Sequence, residues 1–221
     1  MQIPPTERHQ STSAGLNRWP LLAFYSVVEL IEKAVIPSLD LATIFGRSAP
    51  LQVDLGCVDG SFLLQMSQLH PEKNFLGIER LAKRATKTAR KSAELANMRV
   101  LRIETSHALE LLQAESVETF YLLFPDPWPK RRHHRRRLVT TSFLASIHRA
   151  LEPDGIFRIA TDHRNYFDQI EKVARAVVTN LNFKFLPTND WQLPPTKFEV
   201  KFRRQGLPIY RLSLRKTSPV T

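Results

Sequence analysis

The string Asp54-Leu-Gly-Cys-Val-Asp-Gly60 follows a short apolar run and precedes an amphipathic one. A turn in that place lies in the crevice outside the carboxyl ends of strands, where open α/β sheets bind ligands. Gly56 and Gly60 let the backbone approach a ligand closely, although the same spacing also occurs in ordinary tight turns. Glu79 ends the next apolar run, 25 residues after Asp54, where a carboxylate can accept both hydroxyls of a ribose. Turn and acid together describe a nucleoside-cofactor site. They leave a dinucleotide and S-adenosylmethionine both open, and the lack of a regular G-x-G-x-x-G leans away from the dinucleotide.

Further strings add polar chemistry. In Phe124-Pro-Asp-Pro-Trp-Pro-Lys130, three prolines alternate with Asp126, Trp128 and Lys130, which holds the backbone extended and aims the side chains. Asp126 can accept the N1 and N2 protons of a guanine; Trp128 is either a stacking surface or, the preferred reading, core packing. Residues 130–137 then place Lys or Arg at six of eight positions. In mid-domain such a run marks a mouth for an anionic substrate rather than a solvated tail, with nucleic acid the favoured partner. His133 and His134 have no cysteine or carboxylate at metal-ligand spacing, so they belong to the basic patch and no metal is expected. Arg80, Lys83, Arg84, Lys87, Arg90 and Lys91 fall on one helical stripe with no acid among them. That stripe is either a solvated face or a contact for a phosphate backbone. Asp162 closes another apolar run and is either a fourth acid on the same rim or a helix N-cap.

From residue 51 onward, short apolar runs alternate with amphipathic stretches, which predicts βαβ units in a parallel sheet covered on both faces. Strands are expected at 51–55, 74–79, 98–104, 117–124, 156–161, 183–186 and 207–214, with helices at 61–69, 81–95, 138–151 and 163–181. Residues 197–202 also alternate, and the pattern does not separate strand from irregular loop there. Residues 19–28 carry no charge but are too few to span a bilayer, which takes about 20 residues. Glu29, Glu32 and Lys33 follow at helical spacing and Pro37 ends the pattern, so an amphipathic helix is predicted over 20–35, within a 19–50 helix and linker. Residues 1–18 read as a flexible arm and the last five as frayed. The 221 residues, 43% hydrophobic and 24% charged, suffice for one domain over 51–216 and exclude intrinsic disorder. The one cysteine, Cys57, permits no internal disulfide and no cysteine-based zinc site, which suits a reducing, cytoplasmic setting. A net charge of +11 points to a polyanionic partner.

Together these strings resemble the bacterial tRNA (guanine-N7)-methyltransferases over about 51–216. The carriers are D-L-G-C-V-D-G at 54–60, G-I-E at 77–79, F-P-D-P-W-P-K at 124–130 with its R-R-H-H-R-R-R tail, A-T-D at 160–162 and T-K-F-E at 196–199. The proline-rich string is highly specific and the others are confirmatory. The resemblance implies an α/β, Rossmann-like class I methyltransferase fold, S-adenosylmethionine as methyl donor and a variable-loop guanine of tRNA as acceptor. It places Asp54, Gly56, Gly60, Glu79 and Glu104 at the cofactor, and Asp126 at the catalytic centre beside it. It places Lys130, Asp162, Thr196, Lys197, Phe198 and Glu199 at the substrate. Arg131, Arg132, Arg135, Arg136 and Arg137 are then expected along the RNA backbone, in a monomer or homodimer with no obligate protein partner. Two departures stand out: Val58 where the family usually has glycine, and Glu104-Thr105 where it usually has Asp or Asn followed by Ala. The family's frequent basic N-terminal arm is hard to find. The rival reading is a non-catalytic RNA-binding protein on a degenerate methyltransferase fold. A nicotinamide-dependent dehydrogenase shares the turn and Glu79 but gives no reason for the basic run.

Overall fold

In chain order the elements are β1 (Val27–Glu29), α1 (Leu41–Phe45), β2 (Leu51–Leu55), α2 (Ser61–Leu69), β3 (Asn74–Ile78), α3 (Ala82–Lys91), β4 (Met98–Arg102), α4 (Thr105–Leu111) and β5 (Val117–Leu123). A 3-10 helix (Arg131–Arg136) precedes α5 (Thr141–Ala150), β6 (Leu151–Thr161), α6 (Arg164–Val177), β7 (Phe183–Leu186), α7 (Lys197–Arg204) and β8 (Tyr210–Lys216). The computed structural model describes residues 27–29, 38–188 and 191–218.

The strands form one eight-stranded sheet in the order β1-β4-β3-β2-β5-β6-β8-β7. Neighbours from β1 to β6 are parallel, and β8 runs antiparallel to both β6 and β7. Every residue of β2 and β3 is buried, as central strands covered on both faces must be. One face packs Phe62, Leu63 and Met66 of α2 and Ala85 of α3 against Phe75, Met98 and Tyr121. The larger cluster includes Ile44 of α1, Leu109 of α4, Leu144 of α5 and Tyr166 of α6. The α/β architecture expected from the alternation is therefore present.

The differences have local causes. Val27–Glu29 is a strand, registered with Val100 to Arg102 of β4, where a helix was expected over 20–35. The edge of β4 offers unpaired backbone groups, and Val27 and Val28 are β-branched residues that favour extended chain. The rest of that helix, and the 1–18 arm, lie outside the described residues. Residues 197–202, open between strand and loop, belong to a helix, because the Thr196 hydroxyl accepts the Glu199 N–H at 3.0 Å and starts a helical turn. Strand β6 begins at Leu151, five residues before the expected 156, with Asp154 at φ +63 marking the irregular stretch of the strand. Of the five C-terminal residues expected to fray, Thr217 is anchored through its N–H and its hydroxyl to the Asn182 carbonyl, each at 2.8 Å.

Candidate active site

Strand order reverses at β2, whose neighbours β3 and β5 both run parallel to it. Such a switch point opens a crevice at the carboxyl ends of the strands. The turn after β2 bends through Gly56 at φ +86, Val58 at φ +50 and Gly60 at φ +67. The N–H groups of Gly56 and Cys57 both donate to the Ile78 carbonyl, at 2.9 and 3.0 Å, which ties the turn to the end of β3. A Cβ on Gly60 would stand 2.0 Å from the Thr88 methyl of α3, whereas one on Gly56 would meet nothing within 4 Å. Gly60 therefore serves close packing, and Gly56 leaves its open side to the crevice.

Two carboxylates sit beneath this turn, Asp54 and Glu79, each only 4% exposed. Glu79 Oε1 accepts the Leu81 N–H at 2.8 Å, which leaves Oε2 for a ligand. Burial, and secondly the neighbouring Glu79, push the Asp54 carboxyl up to about 7. Asp59 behaves oppositely. Its carboxylate accepts Ser61 N–H and hydroxyl at 3.2 and 2.6 Å, Lys91 Nζ at 3.2 Å, and the Lys197 ammonium. These cationic and hydrogen-bond partners outweigh desolvation and hold Asp59 far below the usual carboxylate range.

A groove of about 550 Å³ runs from this turn to the loop after β5, lined by Gly56, Glu79, Glu104, Asp126, Trp128 and Arg136 among others. The loop leaves β5 through Phe124 at φ +57, pinned by its N–H to the Ala160 carbonyl at 2.8 Å. Asp126 is exposed on the rim. Trp128, at φ +43, is half-buried with the Arg136 guanidinium 4.8 Å from its ring centroid and the His133 ring edge-on at 5.9 Å. On the other side of the turn, a cavity of about 220 Å³ is lined by Asp54, Val58, Phe62, Thr196, Lys197 and Phe198 among others. Helix α7 closes over it through the Lys197–Asp59 ion pair and through the rings of Phe198 and Phe202, 6.4 and 5.4 Å from Phe124.

Residues 48–212 match a family described as "Putative methyltransferase". A tRNA (guanine-N(7)-)-methyltransferase of Leifsonia xyli subsp. xyli is 39% identical over 184 residues, 80% of this chain and 81% of that protein. One from Halorhodospira halophila is 36% identical over 210 residues, 91% of this chain and 84% of its own. The chain belongs to the tRNA (guanine-N7)-methyltransferase family. The solved structure of the 16S rRNA methyltransferase KamB shares the fold, with a TM-score of 0.62 at 14% identity over 86% of this chain and 99% of that one.

The methyl donor of this methyltransferase is S-adenosylmethionine. The crevice suits it: Glu79 Oε2 stands ready for ribose hydroxyls, and Gly56 presents an open backbone face. Of the residues expected at the cofactor, Asp54, Gly56, Glu79, Glu104 and Asp126 line the two cavities, and Gly60 supports them from behind. Glu104 is exposed and 3.9 Å from Arg80, so that pair adds little stability.

The substrate residues are distributed differently. Thr196 caps α7 and lines the smaller cavity with Lys197 and Phe198. Glu199 is bound instead to Arg203 at 2.5 Å and to Arg211, with only 12% of its side chain exposed. Asp162 is half-exposed and is not the N-cap of α6; His163 is, its Nδ1 accepting the Tyr166 N–H at 3.2 Å. Lys130, Arg131, Arg132, Arg135 and Arg136 are exposed.

Two expectations need correction. Trp128 is not in the core, because its positive φ turns the indole back onto the basic helix. Arg137 is not on the RNA face: the 3-10 helix ends at Arg136, and Arg137 turns inward to 4% exposure. Its Nε donates to the Pro127 carbonyl at 2.9 Å, and its Nη atoms donate to Gln169 and Asn165 at 2.5 and 2.8 Å. Arg84, expected only on the basic stripe, also lines the groove, while Ser106 on the groove and the α7 start were missed by sequence reasoning; the T-x-x-E spacing of Thr196 and Glu199 is a capping-box signal for that start.

Proposed function

We propose that this enzyme transfers the methyl group of S-adenosylmethionine to N7 of a guanine in the variable loop of tRNA. The observation that carries the reading is the continuity of the groove. It begins at Gly56 and the buried Glu79, at the turn after β2, and ends at Asp126, beside Arg136 of the exposed basic helix. S-adenosylmethionine supplies an electrophilic methyl on a sulfonium. Guanine N7 attacks with a ring lone pair that carries no proton, so no general base is required. The protein's work is to hold the two partners in line and to balance charge that moves onto the purine.

Asp126 accepts hydrogen bonds from N1–H and N2–H of the guanine and offsets its developing positive charge, with Asp162 as a second carboxylate near the same rim. Lys130, Arg131, Arg132, Arg135 and Arg136 supply sequence-independent attraction for the tRNA backbone, helped by the exposed Arg80, Lys83, Arg84, Lys87 and Arg90 of the α3 stripe. Thr196, Lys197 and Phe198 close the cofactor side. Residues 51–216 form the catalytic unit, to which β1 adds an edge strand. No helix among the described residues is long and apolar enough to cross a membrane, and a cytoplasmic setting suits a tRNA substrate. The test is transfer of labelled methyl to unmodified tRNA, with nucleoside analysis and an Asp126→Ala control. The reading requires 7-methylguanine in the variable loop and its loss in the control. Binding of tRNA without methyl transfer sinks it in favour of an RNA-binding protein.

A further inference from the structure

The proline-rich loop carries Asp126 yet can make little backbone ladder, since Pro125, Pro127 and Pro129 have no N–H. Among the described residues, one hydrogen bond holds the backbone of 125–129: Arg137 Nε to the Pro127 carbonyl at 2.9 Å. That carbonyl belongs to the residue directly after Asp126, so its orientation sets where the carboxylate stands. The rest of the guanidinium is spent on α6, with Nη1 donating to Gln169 at 2.5 Å and Nη2 to Asn165 at 2.8 Å. Its Cζ lies over the ring of Tyr166, 4.9 Å from the centroid, and Tyr166 is fully buried. The Tyr166 hydroxyl accepts the N–H groups of Leu138 and Val139 at 3.2 and 3.3 Å, fixing the chain that follows Arg137. The Tyr166 N–H in turn caps onto His163, the residue after Asp162.

We infer that Arg137 is a positioning residue for methyl transfer, a strut that holds the Asp126 loop and the Asp162 end of α6 in one rigid frame. The inference rests on the methyltransferase reading above. Every partner of the buried guanidinium is neutral: a carbonyl, two side-chain amides and an aromatic face. This is a planar, three-pronged set that a lysine ammonium cannot reproduce. In-line displacement depends on geometry so closely that a shift of about 1 Å can cost about 100-fold in rate.

The test compares the full-length wild type with Arg137→Lys, using labelled S-adenosylmethionine and unmodified tRNA. It records kcat, the KM for tRNA, the Kd for S-adenosylmethionine by calorimetry, and the melting temperature. A strut predicts a kcat about 10-fold or more lower, with cofactor Kd and tRNA KM within about threefold of wild type. A rise in tRNA KM at unchanged kcat overturns the inference and returns Arg137 to the RNA contacts. A folded Arg137→Lys protein with wild-type kinetics overturns it as well. If Arg137→Lys does not fold, the Asn165→Ala/Gln169→Ala double variant leaves the guanidinium but removes two of its acceptors. It must then show a several-fold loss confined to kcat, and an unchanged kcat refutes the strut. A wild type that moves no methyl at all refutes the functional reading itself, a result distinct from any of these.

Discussion

Asp54 should make the ligand-free enzyme less stable as pH rises through neutrality. Its carboxyl is buried beside Glu79 and is raised from 3.8 to about 7 in the folded chain. Below pH 4 it is protonated in both the folded and unfolded states and contributes no pH dependence. Between about 4 and 7 only the unfolded chain gives up the proton, so stability falls by up to about 1.4 kcal/mol per pH unit. Taken over the whole displacement, the ionised carboxylate costs on the order of 4 kcal/mol above pH 7.5. Asparagine mimics the neutral carboxyl in size and polarity. Urea unfolding of wild type and Asp54→Asn, followed by circular dichroism from pH 5 to 8.5, should show the variant ahead by about 1.5 kcal/mol at pH 5. By pH 8.5 its lead should grow by about a further 2–3 kcal/mol, to about 4 kcal/mol. The difference between the two proteins is the quantity to read, because other titrations cancel in it, including that of His148, which burial and Lys216 hold below its usual value. A difference that stays flat across this pH range would refute the buried, charge-coupled picture of Asp54. The same variant should bind S-adenosylmethionine more weakly in calorimetry, separating what the acid does for the ligand from what it costs the fold.

Replacing Asp126 by Asn should lower kcat about 10-fold or more at saturating tRNA with little change in cofactor affinity; full turnover would show that the charge of Asp126 plays no part. The triple variant Arg131→Ala/Arg132→Ala/Arg135→Ala should raise the tRNA KM and flatten the plot of log affinity against log salt by about 2–3. A selective loss of cofactor binding would contradict that assignment. Val58 is β-branched and held at φ +50, so Val58→Gly should stabilise the protein by about 1 kcal/mol in urea unfolding once the greater freedom of glycine in the unfolded chain is deducted. A destabilised variant would mean that the valine side chain packs better than its backbone suffers.

Much of the site was readable before the fold. The parallel strands, the turn at 54–60, Glu79 and the loop at 124–130 follow from local patterns, because apolar runs of four to seven residues flanked by helical stretches have few other ways to bury themselves. Acids at the ends of parallel strands then fall on one rim by topology alone, which is why Asp54, Glu79 and Asp126 could be grouped without coordinates. The strand at Val27–Glu29 was not readable, since a charge-free run suits a helix or a strand equally and the choice depended on the free edge of β4, some 70 residues away. Arg136 and Arg137 are the same residue type one position apart, yet one stacks on Trp128 at the groove and the other is sealed against Tyr166. Glu199 likewise faces Arg211 of β8 rather than open solvent. The sequence alone determined the chemistry available and the strand ends that carry it. Which cations reach outward and which become internal struts was decided by the tertiary structure, because burial of a charge depends on acceptors that distant segments bring to it.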